Sequence, residues 1–172
     1  MSIWKFLKLQ PSNQSSSSAE TETVRKITEA LDRMEPERAR YIAAFAYLLG
    51  RVARADLNIS AEETREMERI VAEKSRIPEE QAIIVVQIAK SQNILFGATE
   101  NYLVSREFNW MATQEQKLAL IDCLFAVAAA DESISTVEDN EVSQIADELR
   151  IEHPDFIAVR SAYRKYLAVL KN

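Results

Sequence analysis

Apolar residues recur three or four positions apart along most of the chain, as in the series Val24, Ile27 and Leu31. Positions with this spacing lie on one face of an α-helix and can be buried together. Residues 82–88 (AIIVVQI) have the composition of a strand, but they lie between a predicted helix start and Lys90, which favours a buried helix. The pattern therefore predicts an all-α fold, a single compact domain of about seven to eight helices.

Prolines and capping residues mark the predicted helix boundaries. A proline suits the first turn of a helix, because the backbone N–H that it lacks has no partner there; such prolines are Pro36, Pro78 and Pro154. A Ser or Thr followed three residues later by Glu or Gln has the spacing of a capping box, and three pairs have it: Ser60 with Glu63, Thr113 with Gln116, and Ser135 with Glu138. We therefore predict helices at about 21–33, 36–55, 61–75, 79–91, 95–109, 114–130, 136–149 and 155–170.

The first 22 residues have a different pattern. Residues 1–9 (MSIWKFLKL) place their apolar side chains on one arc of a helical wheel and Lys5 and Lys8 on the rest. Residues 10–22 are rich in serine and predict a flexible linker, so residues 23–172 are predicted to form the helical domain. The basic amphipathic segment 1–9 predicts a weak peripheral membrane contact or a contact with a partner groove. The alternative is that residues 1–9 fold back onto the domain.

One motif occurs twice, as ADLNIS at residues 55–60 and as ADESIS at residues 130–135. At a constant offset of 75, eleven positions of residues 49–73 are identical to their counterparts in residues 124–148. Each copy reads as a helix, a turn with the pattern Asp-x-x-Ile-Ser-x-x-Glu, and a second helix. The duplication predicts two pseudo-symmetric helix-turn-helix repeats within the domain.

These two motifs resemble the TerB-like family (tellurite resistance protein B), in which a hydrophobic helix ending in Ala-Asp-Gly is followed by x-Ile-Ser-x-x-Glu, twice per domain. The matching positions are Ala55, Asp56, Ile59, Ser60 and Glu63, and Ala130, Asp131, Ile134, Ser135 and Glu138. The resemblance extends more weakly over about residues 24–170. It implies an all-helical fold without an established enzymatic activity, and an acidic surface that binds divalent cations. The family's glycine is replaced by Leu57 and Glu132, so we expect a reshaped first turn or a left-handed residue at Asn58.

The carboxylates of the two turns are the candidate metal ligands. Each turn reproduces only the second half of an EF-hand calcium loop, so neither turn alone could enclose a cation. If the turns face one another, they can pool Asp56, Glu63, Asp131 and Glu138 around Ca²⁺ or Mg²⁺, which prefer oxygen ligands. The second turn carries more acid and is the better candidate. In the structural alternative, the aspartate orders the turn, the isoleucine fills the core, and the serine and glutamate cap the next helix.

Composition narrows the classes of function. The formal net charge of −6 argues against nucleic-acid binding and favours cations or a basic protein partner. A single cysteine and a single histidine cannot complete a structural zinc site, so Cys123 is predicted to be a buried thiol and His153 a surface or capping residue. No apolar stretch is long enough for a membrane span. We therefore expect a cytoplasmic protein, peripheral at the inner membrane face if residues 1–9 bind there.

The predicted function is a non-enzymatic acidic helical module of a stress-response system, which senses divalent cations or binds a protein partner. The alternatives are a small enzyme that uses carboxylates in a helical cleft, and a structural adaptor that docks a basic partner. Phe108 and Trp110 could line a groove, but core packing is the favoured prediction for these aromatic residues at helical spacing. The last helix is predicted to close the bundle. The remaining acidic side chains of the repeat are predicted to form a solvated helix face; these are Glu66, Glu73, Glu141 and Glu148.

Overall fold

A computed structural model describes residues 18–53, 60–91 and 101–171. Within these ranges the chain forms eight α-helices and no strand. They are α1 (Ser18–Asp32), α2 (Pro36–Ala53), α3 (Ala61–Ser75), α4 (Glu79–Lys90), α5 (Asn101–Met111), α6 (Gln114–Ala128), α7 (Thr136–Glu148) and α8 (His153–Ser161). The all-α prediction is confirmed, and residues 82–88 are helical. None of the described helices combines the length and hydrophobicity that a membrane span requires.

Most predicted helix starts agree with the structure, and at three of them a capping box fixes the first turn. All three predicted capping boxes are present, at the starts of α3, α6 and α7. Helix α1 begins at Ser18, so it includes residues that the sequence pattern assigned to the linker. Residues 1–17, with the amphipathic segment, and residues 92–100, with the predicted start of the fifth helix, lie outside the described residues.

Helix α2 forms the centre of the core. It is buried almost without interruption from Ala39 to Val52, and it packs against α4, α5, α6 and α7. Alanines at several of these positions let the neighbouring helices approach closely. Two aromatic rings of α2 pack near Phe108 of α5: the ring centroid of Tyr41 lies 5.4 Å from that of Phe108, and the centroid of Phe45 lies 6.3 Å from it. A helix buried on all sides explains why the sequence of α2 is apolar around its whole circumference.

The packing of the helices follows the sequence repeat. Helices α2 and α3 contain the first copy, and α6 and α7 contain the second. Helix α3 packs against α6, and its counterpart α7 packs against α2, the counterpart of α6. Each copy therefore packs its second helix on the first helix of the other copy, as expected for a pseudo-symmetric pair.

The similarity of the two copies continues beyond the identical positions. Helix α3 ends at a left-handed Arg76 followed by the buried Ile77, and α7 ends before a left-handed Arg150 followed by the buried Ile151. In the second copy, the amide of Ile151 donates to the carbonyl of Ala146 at 3.0 Å, the long bond of a Schellman motif. These equivalent pairs are 74 residues apart, so the second copy is one residue shorter at this point.

The predicted last helix at 155–170 is wrong in its second half. Helix α8 ends at Ser161, and two 3-10 turns follow, at Arg164–Tyr166 and Ala168–Leu170. Between these turns Leu167 is extended and forms a parallel bridge with Ile134: the amide of Ile134 donates to the carbonyl of Tyr166 at 2.8 Å, and the amide of Ala168 donates to the carbonyl of Ile134 at 2.9 Å. This pairing with a distant turn replaces the helical hydrogen bonds.

The prediction that Trp110 packs in the core is also wrong. Phe108 is fully buried, as predicted, but the side chain of Trp110 is 85% exposed. Two residues along a helix correspond to a rotation of about 200°. Since Phe108 faces α2, Trp110 must point away from it, into solvent.

Candidate functional site

The second acidic turn lies between α6 and α7. A 3-10 turn over Ala129–Asp131 leads into Glu132, whose φ of 65° is left-handed. The side chain of Asp131 accepts a hydrogen bond from the amide of Ser133 at 3.2 Å, and Ile134 then enters the core. The position at which the family has glycine therefore keeps the backbone conformation that favours glycine, although the residue here is glutamate.

The two predicted glutamate ligands belong to capping boxes. The amide of Ser60 donates to Glu63 Oε2 at 2.7 Å, and the amide of Ser135 donates to Glu138 Oε2 at 2.8 Å. Hydrogen bonds from the backbone and the side chain of Ser60 hold the pKa of Glu63 below its usual value. Both carboxylates therefore serve the capping role that the structural alternative assigns to them.

The C-terminal segment contributes a cation to the second turn. The Lys171 ammonium donates to the carbonyl oxygen of Glu132 at 3.3 Å. Backbone carbonyls of this kind are among the oxygen ligands of calcium sites. One potential metal ligand of the turn is therefore bonded to a protein side chain, and sequence spacing gave no sign of this contact.

The four predicted metal ligands are not all within the described residues. Glu63, Asp131 and Glu138 are described, whereas Asp56 and the rest of the first turn up to Ile59 are not. In the three described ranges, no group of three or more His, Cys, Asp or Glu side chains is arranged to hold a metal ion. A pooled site that includes Asp56 stays a prediction.

A buried ion cluster joins the two copies, and sequence reasoning missed it. Arg51, near the end of α2, has a side chain only 3% exposed. Its Nε lies 2.7 Å from Glu141 Oε1 and its Nη1 lies 2.8 Å from Glu148 Oε2. The Ser105 hydroxyl donates to the same carboxylate of Glu148, and Gln144 donates to it at 3.1 Å.

The prediction of a solvated face is therefore wrong for Glu141 and Glu148. Burial alone would raise the pKa of Glu148, but hydrogen bonds from Arg51 and Ser105 outweigh burial and hold this pKa below its usual value. The sequence feature that could have indicated this cluster is Arg51 itself, an arginine among the apolar residues of α2. A buried guanidinium requires carboxylate partners, although sequence alone could not say which.

A cleft of about 580 Å³ opens between α2, α3, α6 and α8. Its two carboxylates are both paired: Asp122 lies 3.5 Å from Lys74 and accepts a hydrogen bond from the Tyr163 hydroxyl, and Glu115 lies 2.8 Å from Arg76. The cleft is therefore lined by paired opposite charges and by apolar side chains such as Ile77 and Leu118.

The single cysteine and the single histidine have the predicted positions. Cys123 is fully buried, and burial raises the pKa of its thiol to about 12. A thiol with this pKa stays protonated near neutral pH and is a poor nucleophile. His153 is an exposed residue at the start of α8.

Comparisons with known proteins give one family. No curated protein and no solved structure matches the chain. The family model described as "Tellurite resistance protein TerB" matches residues 41–161, from within α2 to the end of α8. This range contains both copies of the repeat and both capped turns. The chain therefore belongs to the TerB family.

Proposed function

We propose that this protein is a non-enzymatic binding module of the TerB type, and that it recognises a protein partner through the exposed face of α5. The observation that supports this proposal is the 85% exposure of Trp110. A tryptophan in water leaves a large apolar area uncovered, and tryptophan is among the residues that most often dominate binding energy at protein interfaces. Coverage by a partner would remove this area from water.

Two neighbours extend the exposed face of α5. Leu103, seven residues before Trp110, is 44% exposed, and Arg106 lies between them on the same helical stripe. Within the described ranges, Arg106 forms no ion pair. An apolar pair around an uncompensated arginine fits a partner that presents an apolar surface with an acidic residue at its centre.

The chemistry of the cleft supports a non-enzymatic role. General acid–base catalysis requires a group that is free to exchange a proton with the substrate. The buried Cys123 thiol next to Asp122 is protonated, and each carboxylate of this cleft lies beside a cation: Asp122 is 3.5 Å from Lys74, and Glu115 forms an exposed pair with Arg76. The TerB match supports a role in a tellurite-resistance or related stress response, which the tellurite sensitivity of a deletion strain would test.

Binding measurements with two surface variants test the proposed α5 interface. A partner that co-purifies from the native host would be titrated against the wild type, Trp110→Ala and the matched control Val137→Ala, in which a second exposed apolar side chain is shortened. We expect Trp110→Ala to weaken binding roughly thirtyfold or more, as for an interface hot spot, and Val137→Ala to have little effect. Equal affinities for all three proteins would contradict the proposal.

Cation binding at the second turn is a second candidate function. The exposed Asp131 and Glu132 and the family motif support it, while the bond from Lys171 to the Glu132 carbonyl opposes it. If a cation uses this carbonyl, Lys171→Met should tighten Ca²⁺ or Mg²⁺ binding, measured by amide shifts during titration. Unchanged amides around Asp131 at millimolar cation, in both proteins, would contradict this function.

A further inference from the structure

The segment after α8 forms a basic hollow on an acidic protein. The hollow has a volume of about 590 Å³ and is lined by Ser161, Ala162, Arg164, Lys165, Leu170 and Lys171. Three of these side chains are cationic and none is acidic, although the whole chain has a net charge of −6. The hollow, formed by these six residues, is therefore positively charged, although the protein as a whole is negatively charged.

No carboxylate within the described parts of the chain pairs with the three cations. The Lys165 ammonium lies over the Tyr166 ring, 4.8 Å from its centroid, and Lys171 bonds to a backbone carbonyl. Arg164 takes part in none of the ion pairs of the described residues. The positive charge of the hollow therefore remains available to an external anion.

Two aliphatic side chains adjoin the cations. Val169 and Leu170 are each about half exposed, at 48% and 49%. Leu170 also lines the hollow, so the apolar and the basic groups form one continuous surface. A soluble phosphate would use the cations alone, whereas a lipid bilayer offers phosphates and, beneath them, an apolar layer.

The fold holds this surface in place. The Tyr163 hydroxyl shares its proton between the carboxylate and the backbone carbonyl of Asp122, and the buried Leu167 forms the parallel bridge to Ile134. The Tyr163 hydrogen bond lies just before the cations Arg164 and Lys165 in the sequence, and the Leu167 bridge lies just before Val169 and Leu170. A surface fixed at two points loses little conformational freedom when it binds.

We infer that the hollow binds the surface of an anionic lipid bilayer, with Arg164, Lys165 and Lys171 contacting headgroup phosphates and Val169 and Leu170 entering the interface. The net negative charge of the rest of the protein is repelled by such a surface, so the basic hollow also fixes the orientation of the bound protein. This inference goes beyond the proposed protein-binding function and uses different residues. Residues 1–9, predicted to be amphipathic and basic, would add a second weak attachment.

Vesicle co-sedimentation of the full chain tests the inference. We expect the wild type to pellet with vesicles that contain phosphatidylglycerol and not with vesicles of phosphatidylcholine alone. Arg164→Glu/Lys165→Glu should weaken partitioning roughly thirtyfold, given the contribution of each basic residue near an anionic surface. The matched control is Lys26→Glu/Arg65→Glu, which changes two exposed cations elsewhere and gives the same net charge.

The outcomes separate the inference from its competitors. Failure of the wild type to bind anionic vesicles, or equal weakening by the control variant, would overturn it. The inference would also be wrong if Lys5→Glu/Lys8→Glu abolished binding while Arg164→Glu/Lys165→Glu bound as well as the wild type. Attachment would then depend on residues 1–9 alone. Val169→Ser/Leu170→Ser should also weaken binding; if it does not, and inorganic phosphate shifts the amides of residues 161–171, the hollow is a site for soluble anions. Circular dichroism would verify that each variant is folded.

Discussion

The two copies of the repeat place glutamates at the same positions but pair them differently. In the first copy, Glu66 and Glu73 lie 2.7 and 2.5 Å from Arg69, on the same helix, and the Arg69 side chain is 59% exposed. In the second copy, Gln144 replaces this arginine, so Glu141 and Glu148 have no basic residue between them on α7. Their partner is the buried Arg51, from the first copy.

The difference shows that identical residues can have unequal energetic importance. Exposed pairs three or four residues apart contribute little, because water screens them and side-chain entropy opposes them. A buried pair depends on every partner, because the loss of one leaves an uncompensated charge in a poorly hydrated place. The ion pairs of the first copy lie on the exposed surface of α3, whereas those of the second copy connect α2 to α7.

The largest expected effect is the loss of the buried cluster. Arg51→Met keeps most of the side-chain volume and removes the charge, which leaves Glu141 and Glu148 without their cation. We expect the free energy of unfolding to fall by about 3–5 kcal/mol, measured by urea denaturation. The matched control Arg69→Met removes the exposed counterpart and should cost below about 1 kcal/mol. Similar losses in the two variants would show that burial does not distinguish the copies.

Acid should weaken the buried cluster. The pKa of Glu148 is lowered in the folded protein from its usual value of 4.5, so the unfolded chain binds the proton more readily. The stabilisation is therefore present above about pH 4.5 and is lost as the pH falls through the lower folded-state pKa. The pH dependence of unfolding in this acid range should be shallower in Arg51→Met than in the wild type. Parallel curves would contradict the assigned pairing.

The capping boxes should behave alike in the two copies. Ser60→Ala and Ser135→Ala each remove the side chain that accepts from the amide three residues later, at 3.1 and 3.2 Å. Each should lower the free energy of unfolding by about 1 kcal/mol, as other helix caps do. A much larger loss for Ser135→Ala would mean that the second cap has a further role, and chemical denaturation of both variants would show it.

The smallest expected effect is a gain. Glu132 has a left-handed backbone, which glycine adopts without steric cost. Glu132→Gly should therefore stabilise the protein by about 0.5–1 kcal/mol, after allowance for the greater freedom of glycine in the unfolded chain. Ser133→Gly, next in sequence and not left-handed, should destabilise it. Thermal unfolding of the pair would test this opposite sign.

Features that depend on neighbouring residues could be predicted from the sequence. Helical periodicity gave the all-α fold, and the three Ser or Thr caps gave the starts of α3, α6 and α7, because each cap lies within three residues of its partner. The buried thiol of Cys123 followed from its place on an apolar helix.

Features that depend on distant residues could not be predicted. After α8 ends at Ser161, Leu167 pairs with the distant Ile134, and no glycine or proline near Ser161 indicates that the helix stops there. The same limit applies to the candidate site, where the bond from Lys171 to Glu132 spans 39 positions. The surroundings of Arg51 required the tertiary arrangement of three helices.

The position of Arg51, in one copy with its partners in the other, has a consequence for how the domain unfolds. One half carries the arginine, and the other half carries the glutamates that neutralise it. Neither half is complete without the other. The two copies should therefore unfold together in a single cooperative transition.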